Sequence, residues 1–207
     1  MALLGSGSGC DRAAGIRVFE DKEFQRWMLR VSLAVIVAGA AVGGAWAIGF
    51  GGLADLDRFE GAFGDAGVFV ALAVLIVSFC LHEAVHALFF RLYAPPGSRV
   101  YFGANWKAGM IYACAEGIVF SRRQYQIALI APTIAVTAAL MVIGAVSGCA
   151  LVVWAIAVLH LSGCAGDWGY LIEIARDRTI DRCEDTSWGV RFLRAGEPDS
   201  SRGEDAR

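Results

Sequence analysis

Apolar residues in this chain gather into long uninterrupted runs, where a water-soluble fold would show short amphipathic stripes. Val31 to Phe50 is 20 residues without a charge, and at about 1.5 Å of helix rise per residue it covers the roughly 30 Å hydrocarbon layer of a bilayer. Similar runs occupy residues 66–90, 127–146 and 150–166, the last two parted only by Ser147-Gly148-Cys149, enough for a tight helical hairpin. Between them, residues 99–120 change character. Short β-prone stretches (Val100-Tyr101-Phe102, Met110-Ile111-Tyr112, Ile118-Val119-Phe120) are punctuated by Gly103, Asn105, Gly109 and Gly117, which predicts a small hairpin or sheet. The last apolar helix is expected to continue to about Arg182 and then loosen into a charged tail, with 196–207 polar enough to be disordered. The pattern predicts an all-α membrane protein with a small β insertion and four transmembrane helices. Its expected parts are an N-terminal segment 1–30, a membrane domain 31–175 and a tail 176–207.

Composition agrees, since 57% of the residues are hydrophobic and only 18% charged, against roughly 45–50% and 25% in soluble domains. A net charge of −2 and the lack of aromatics interleaved with basic residues give no footing for a nucleic-acid partner. Lys and Arg fall almost wholly on one side of the expected topology. Segments 1–30, 91–126 and the tail after Asp167 hold 17 of them, and the 51–65 loop holds one. By the positive-inside rule both termini are then expected in the cytoplasm, in a multi-pass protein of the plasma membrane. Ala45-Trp46-Ala47 resembles a signal-peptidase site, but the acidic stretch before it (Asp11, Glu20, Asp21, Glu23) fits a retained anchor better. The six cysteines form no C-x-x-C pair, and most of them read as small buried hydrophobes. Gly39-x-x-x-Gly43 and Gly144-x-x-x-Gly148 would let helices approach closely.

One span carries chemistry. His82-Glu83-Ala84-Val85-His86 lies inside the 66–90 run. Histidines four apart on a helix can reach one metal ion while the glutamate lies beside the open coordination position. Ionisable groups in a bilayer cost several kcal/mol, and binding a cation offsets that cost. A catalytic zinc needs a third protein ligand. Asp167 is the first candidate, because an aspartate ending a span after Gly166 is hard to place against lipid; topology puts it near the cytoplasmic face, at the depth of the histidine pair. His160 is an alternative ligand or an outer-sphere donor, and Glu116 is a further alternative in a turn. In the resulting mechanism the metal polarises the scissile carbonyl, and Glu83 activates zinc-bound water and passes the proton to the leaving amine. A helical substrate would have to unwind, and could add as a strand to the 99–120 segment. The alternative is a non-proteolytic membrane protein that binds or moves a metal ion or protons through the same polar cluster.

His82-Glu83-Ala84-Val85-His86 in a span, a β-rich segment, Ala131-Pro132 in a later span and Gly166-Asp167 ending another together resemble the site-2 protease group of intramembrane zinc metalloproteases, and most of all its small branch of zincin peptidases. The likeness covers about residues 75–175. It implies Zn2+ held by His82, His86 and Asp167, Glu83 as general base, and membrane-embedded protein or peptide substrates. The better-known members carry their aspartate in Leu-Asp-Gly, whereas this chain has Gly166-Asp167-Trp168-Gly169, which leaves the third ligand the open point.

Overall fold

The computed structural model describes residues 14–105 and 110–197; Cys10, Gly109 and residues 198–207 of the tail lie outside the described residues. Strand β1 (Gly15–Arg17) leads into helix α1 (Lys22–Gly49), α2 (Leu53–Phe63), a short 3-10 turn (Gly64–Ala66) and α3 (Gly67–Tyr93). There follow β2 (Tyr101–Asn105), β3 (Met110–Cys114), β4 (Val119–Ser121), α4 (Arg122–Ser147), α5 (Ala150–Gly163), α6 (Ala165–Arg176), β5 (Ile180–Thr186) and β6 (Gly189–Arg194). The chain is therefore mostly helical with small sheets. Three helical stretches, Lys22–Gly49, Leu53–Tyr93 and Arg122–Ser147, are long and apolar enough to cross a membrane, and α5 with α6 makes a fourth when the pair counts as one broken span. Large apolar side chains such as Val37, Ile48, Val68, Phe69 and Leu88 stand exposed along α1 and α3. Rows of this kind are expensive in water and natural in lipid.

Two helices begin earlier than their apolar runs, and local capping explains both. Asp21 Oδ1 accepts from the amides of Glu23 and Phe24 at 3.0 and 2.9 Å, satisfying two orphan donors of the first turn. At α4, Ser121 and Gln124 form a reciprocal capping box, the Ser121 amide donating to Gln124 Oε1 at 3.0 Å and the Gln124 amide to Ser121 Oγ at 3.4 Å. The 51–65 segment, expected as a loop, holds α2 instead. There Asp55 and Arg58 pair at 3.6 Å and the Phe59 and Phe63 rings meet at 4.9 Å, both at helical spacing.

The chain divides into two compact units, one comprising residues 1–28, 83–131 and 167–207 and the other 29–82 and 132–166. The first holds both sheets. Strands β1-β6-β5-β4 make an antiparallel sheet, and β2 and β3 pair separately, with Phe102 opposite Ala113. Its core stacks Phe24 on Tyr170 (5.6 Å) and Phe90 on Phe120 and Tyr125 (5.3 and 6.1 Å). This unit corrects one expectation: α6 stops at Arg176, and residues 180–194 form the hairpin β5–β6. Arg122 helps to end the helix, its guanidinium donating to the carbonyls of Ile174, Asp177 (2.8 Å) and Ile180 (3.0 Å). Buried Ile180, Cys183, Val190 and Phe192 then supply the apolar contacts of the hairpin, and buried Glu184 accepts from the Gly117 amide at 2.9 Å while pairing with Arg191.

In the second unit, helices approach at small residues. A Cβ on Gly39 would fall 2.4–2.5 Å from both Val158 methyls, and the Gly39 carbonyl accepts from Trp154 Nε1 at 3.0 Å. Gly43 faces the Trp154 ring, Gly163 faces Phe79 and Gly144 faces Val153 and Ala150. Ser32 Oγ donates to the Ser162 carbonyl at 2.6 Å.

Candidate metal centre

Helix α3 runs without interruption through His82, the adjacent Glu83 and, one turn on, His86. Both imidazoles are buried. The ring of His86 is oriented by a defect in α4. Pro132 has no amide hydrogen, so the carbonyl four residues earlier, on Ala128, loses its intrahelical donor. That carbonyl lies 3.1 Å from His86 Nδ1. Because a carbonyl can only accept, Nδ1 carries the hydrogen, and in the neutral ring the lone pair sits on Nε2. Nε2 points at Asp167 Oδ1, 3.5 Å away. Two ligands with bonds of about 2.0–2.1 Å to one tetrahedral ion stand about 3.3 Å apart, so this nitrogen–carboxylate pair fits a bound cation. Asp167 lies in the first turn of α6.

Glu83 faces the β2–β3 hairpin, and its Oε2 accepts from the Ala113 amide at 2.7 Å. Two residues on, the Ala115 amide meets Asp185 Oδ2 at 3.4 Å, and Tyr125 donates to Asp185 Oδ1 at 2.9 Å. Burial is the main reason that the Asp185 carboxyl is pushed up to about 7, against partial relief from the Tyr125 hydroxyl, His86 and the Ala115 amide. Sequence reasoning passed over Asp185 because it stands among the tail charges, and it saw Ala131-Pro132 only as a feature of likeness. A proline four residues after Ala128 in an apolar helix was the available signal for the exposed carbonyl.

The remaining candidates separate. Glu116 is exposed and accepts from the Tyr101 hydroxyl at 2.6 Å. His160 is fully buried in α5, with Nε2 3.2 Å from His82 Nδ1 and Nδ1 3.5 Å from Thr137 Oγ1. Cys164 joins it, its Sγ lying 3.7 Å from His82 Nδ1, so His82, His160 and Cys164 form a buried group able to hold a metal ion. Among the described cysteines, Cys114, Cys149, Cys164 and Cys183 are buried and Cys80 is exposed, which agrees with the reading of most of them as buried; burial pushes the thiols of Cys114 and Cys183 up to about 12, as expected of inert core residues.

Residues 75–179, just over half of the chain, match the protein family described as "Putative zincin peptidase". The chain belongs to this family. Its matched region runs from within α3 through α6, and so contains every candidate ligand and the β2–β3 hairpin. Membership in a zincin family implies zinc as the metal, in keeping with imidazole and carboxylate donors. Among curated proteins and among solved structures no significant match is found.

Proposed function

We propose that this zincin family member is an integral-membrane zinc metallopeptidase of site-2-protease type, hydrolysing peptide bonds of membrane-embedded or membrane-proximal proteins. The observation that carries the reading is the His86 ring, fixed at Nδ1 by a carbonyl that Pro132 exposes and turned at Nε2 toward Asp167. His82, one turn earlier on the same helix, His86 and Asp167 would hold the metal. A zinc ion held there would supply Lewis-acid polarisation of the scissile carbonyl and would lower the pKa of the attacking water toward about 7. Glu83 accepts the proton at its carboxylate and returns it to the leaving amine.

The Ala113 amide that now donates to Glu83 belongs to a strand whose opposite partner is β2. An unwound substrate pairing along β3 would take over that amide and turn the carboxylate toward its own scissile bond. Four spans with both termini cytoplasmic, as the 17-to-one distribution of Lys and Arg favours, would set the chemistry near the cytoplasmic face of the plasma membrane, where water has access.

The test is cleavage of a transmembrane reporter peptide by the full chain in liposomes. Chelation should abolish it, added zinc should restore it, and His86→Ala and Asp167→Ala should both be inactive. Activity that survives Asp167→Ala would move the third ligand to His160 or Glu116. Cleavage indifferent to chelator, or proton or metal flux with no cleavage at all, would overturn the peptidase reading.

A further inference from the structure

The buried group His82, His160 and Cys164 has the chemistry of a metal site in its own right. All three residues are at most 5% exposed. His82 Nδ1 and His160 Nε2 stand 3.2 Å apart, and Cys164 Sγ is 3.7 Å from His82 Nδ1. Tetrahedral coordination with bonds of about 2.0–2.1 Å to nitrogen and 2.3 Å to sulfur sets the corresponding spans at about 3.3 and 3.6 Å. A thiolate with two imidazoles suits zinc or a softer ion such as monovalent copper.

We infer that His82, His160 and Cys164 form a second, thiolate-bearing metal position that competes with the peptidase zinc for His82. The competition follows from the protons. His160 Nδ1 faces Thr137 Oγ1 at 3.5 Å, a hydroxyl able to accept from it, and coordination through Nε2 requires the His160 tautomer protonated at Nδ1. If His82 Nδ1–H donates to His160 Nε2 across their 3.2 Å contact, the one lone pair of the neutral His82 ring sits on Nε2. With a metal held by the three residues, His82 must present its lone pair at Nδ1 and carry its proton on Nε2 instead, and Cys164 must give up both its thiol proton and the 3.4 Å contact with the His160 carbonyl. One neutral His82 ring therefore serves one metal position at a time. The thiolate position itself does not depend on the peptidase reading; the competition does.

The test is titration of the full-length protein in detergent with cobalt(II), whose thiolate complexes show a near-ultraviolet charge-transfer band that nitrogen and oxygen ligands do not produce. Wild type should show the band, Cys164→Ser and Cys164→Ala should lose it, and Asp167→Asn should keep it. No band at saturating cobalt, a band that survives both Cys164 variants, or loss of the band in Asp167→Asn would each overturn the inference. Visible d–d bands that persist in the Cys164 variants would show them folded and able to bind cobalt elsewhere. If the peptidase reading also holds, excess zinc should inhibit wild type and inhibit Cys164→Ser much less. Equal inhibition would remove the competition, and a cobalt band in a protein with no cleavage activity would sink the peptidase reading alone.

Discussion

Glu83→Gln is the substitution that most cleanly separates chemistry from architecture. In the wild type, Oε2 accepts a 2.7 Å hydrogen bond from the Ala113 amide. Glutamine is isosteric, and its carbonyl oxygen can accept the same bond, so the contact between α3 and β3 persists with a neutral acceptor in place of a charged one. That exchange should cost about 1 kcal/mol of stability, the usual difference between charge-assisted and neutral hydrogen bonds. What glutamine cannot do is take a proton at neutral pH. Loss of a positioned general base costs about 10²–10⁴-fold in rate, or about 3–5 kcal/mol of transition-state stabilisation. The assay is kcat/KM on a transmembrane reporter in liposomes, beside zinc content and the thermal unfolding midpoint. The expected outcome is unchanged zinc, a midpoint shifted by a few degrees at most, and the full rate loss. Activity within about tenfold of wild type would refute the role of Glu83, and simultaneous loss of zinc and fold would show that the carboxylate is structural.

Gly39→Ala would drive a methyl into both Val158 methyls and to 3.0 Å from the Val158 Cβ, so no valine rotamer relieves it, and a loss of about 1–3 kcal/mol is expected from thermal unfolding in detergent. Shortening Val158 to Ala in the same chain should recover most of that loss. Arg122→Ala removes three carbonyl contacts at the end of α6 and should cost on the order of 2–4 kcal/mol, seen as early proteolysis of the β5–β6 hairpin. Asp185 gives a pH dependence. Burial lifts its carboxyl from 3.8 to about 7, so its contribution to stability is complete below about pH 4 and drains away as pH rises toward 7. Unfolding midpoints of wild type should therefore fall relative to those of Asp185→Asn between pH 5 and 8, and a constant difference across that window would contradict the assignment.

The apolar runs of the sequence determined helical stretches that could span a membrane, because length and hydropathy are properties of consecutive residues. His82-Glu83-Ala84-Val85-His86 was equally legible, since a helix of 3.6 residues per turn puts residues four apart on one face. Helix starts were set by caps at Asp21 and Ser121 that lie outside the apolar runs and were missed with them. The β5–β6 hairpin was hidden because its buried residues, Cys183, Val190 and Phe192, are diluted by Arg182, Arg191 and Arg194, and only pairing with β4 and β1 makes that alternation worth burying. Tertiary structure alone decided what surrounds the histidines. The carbonyl exposed by Pro132 is an intrahelical consequence any reader could derive, but that it meets His86 depends on how α3 packs on α4. That Ala113 holds Glu83, and that Cys164 stands beside His82, are contacts between residues 30 and 82 positions apart, and no local pattern encodes a distance that only the packed chain closes.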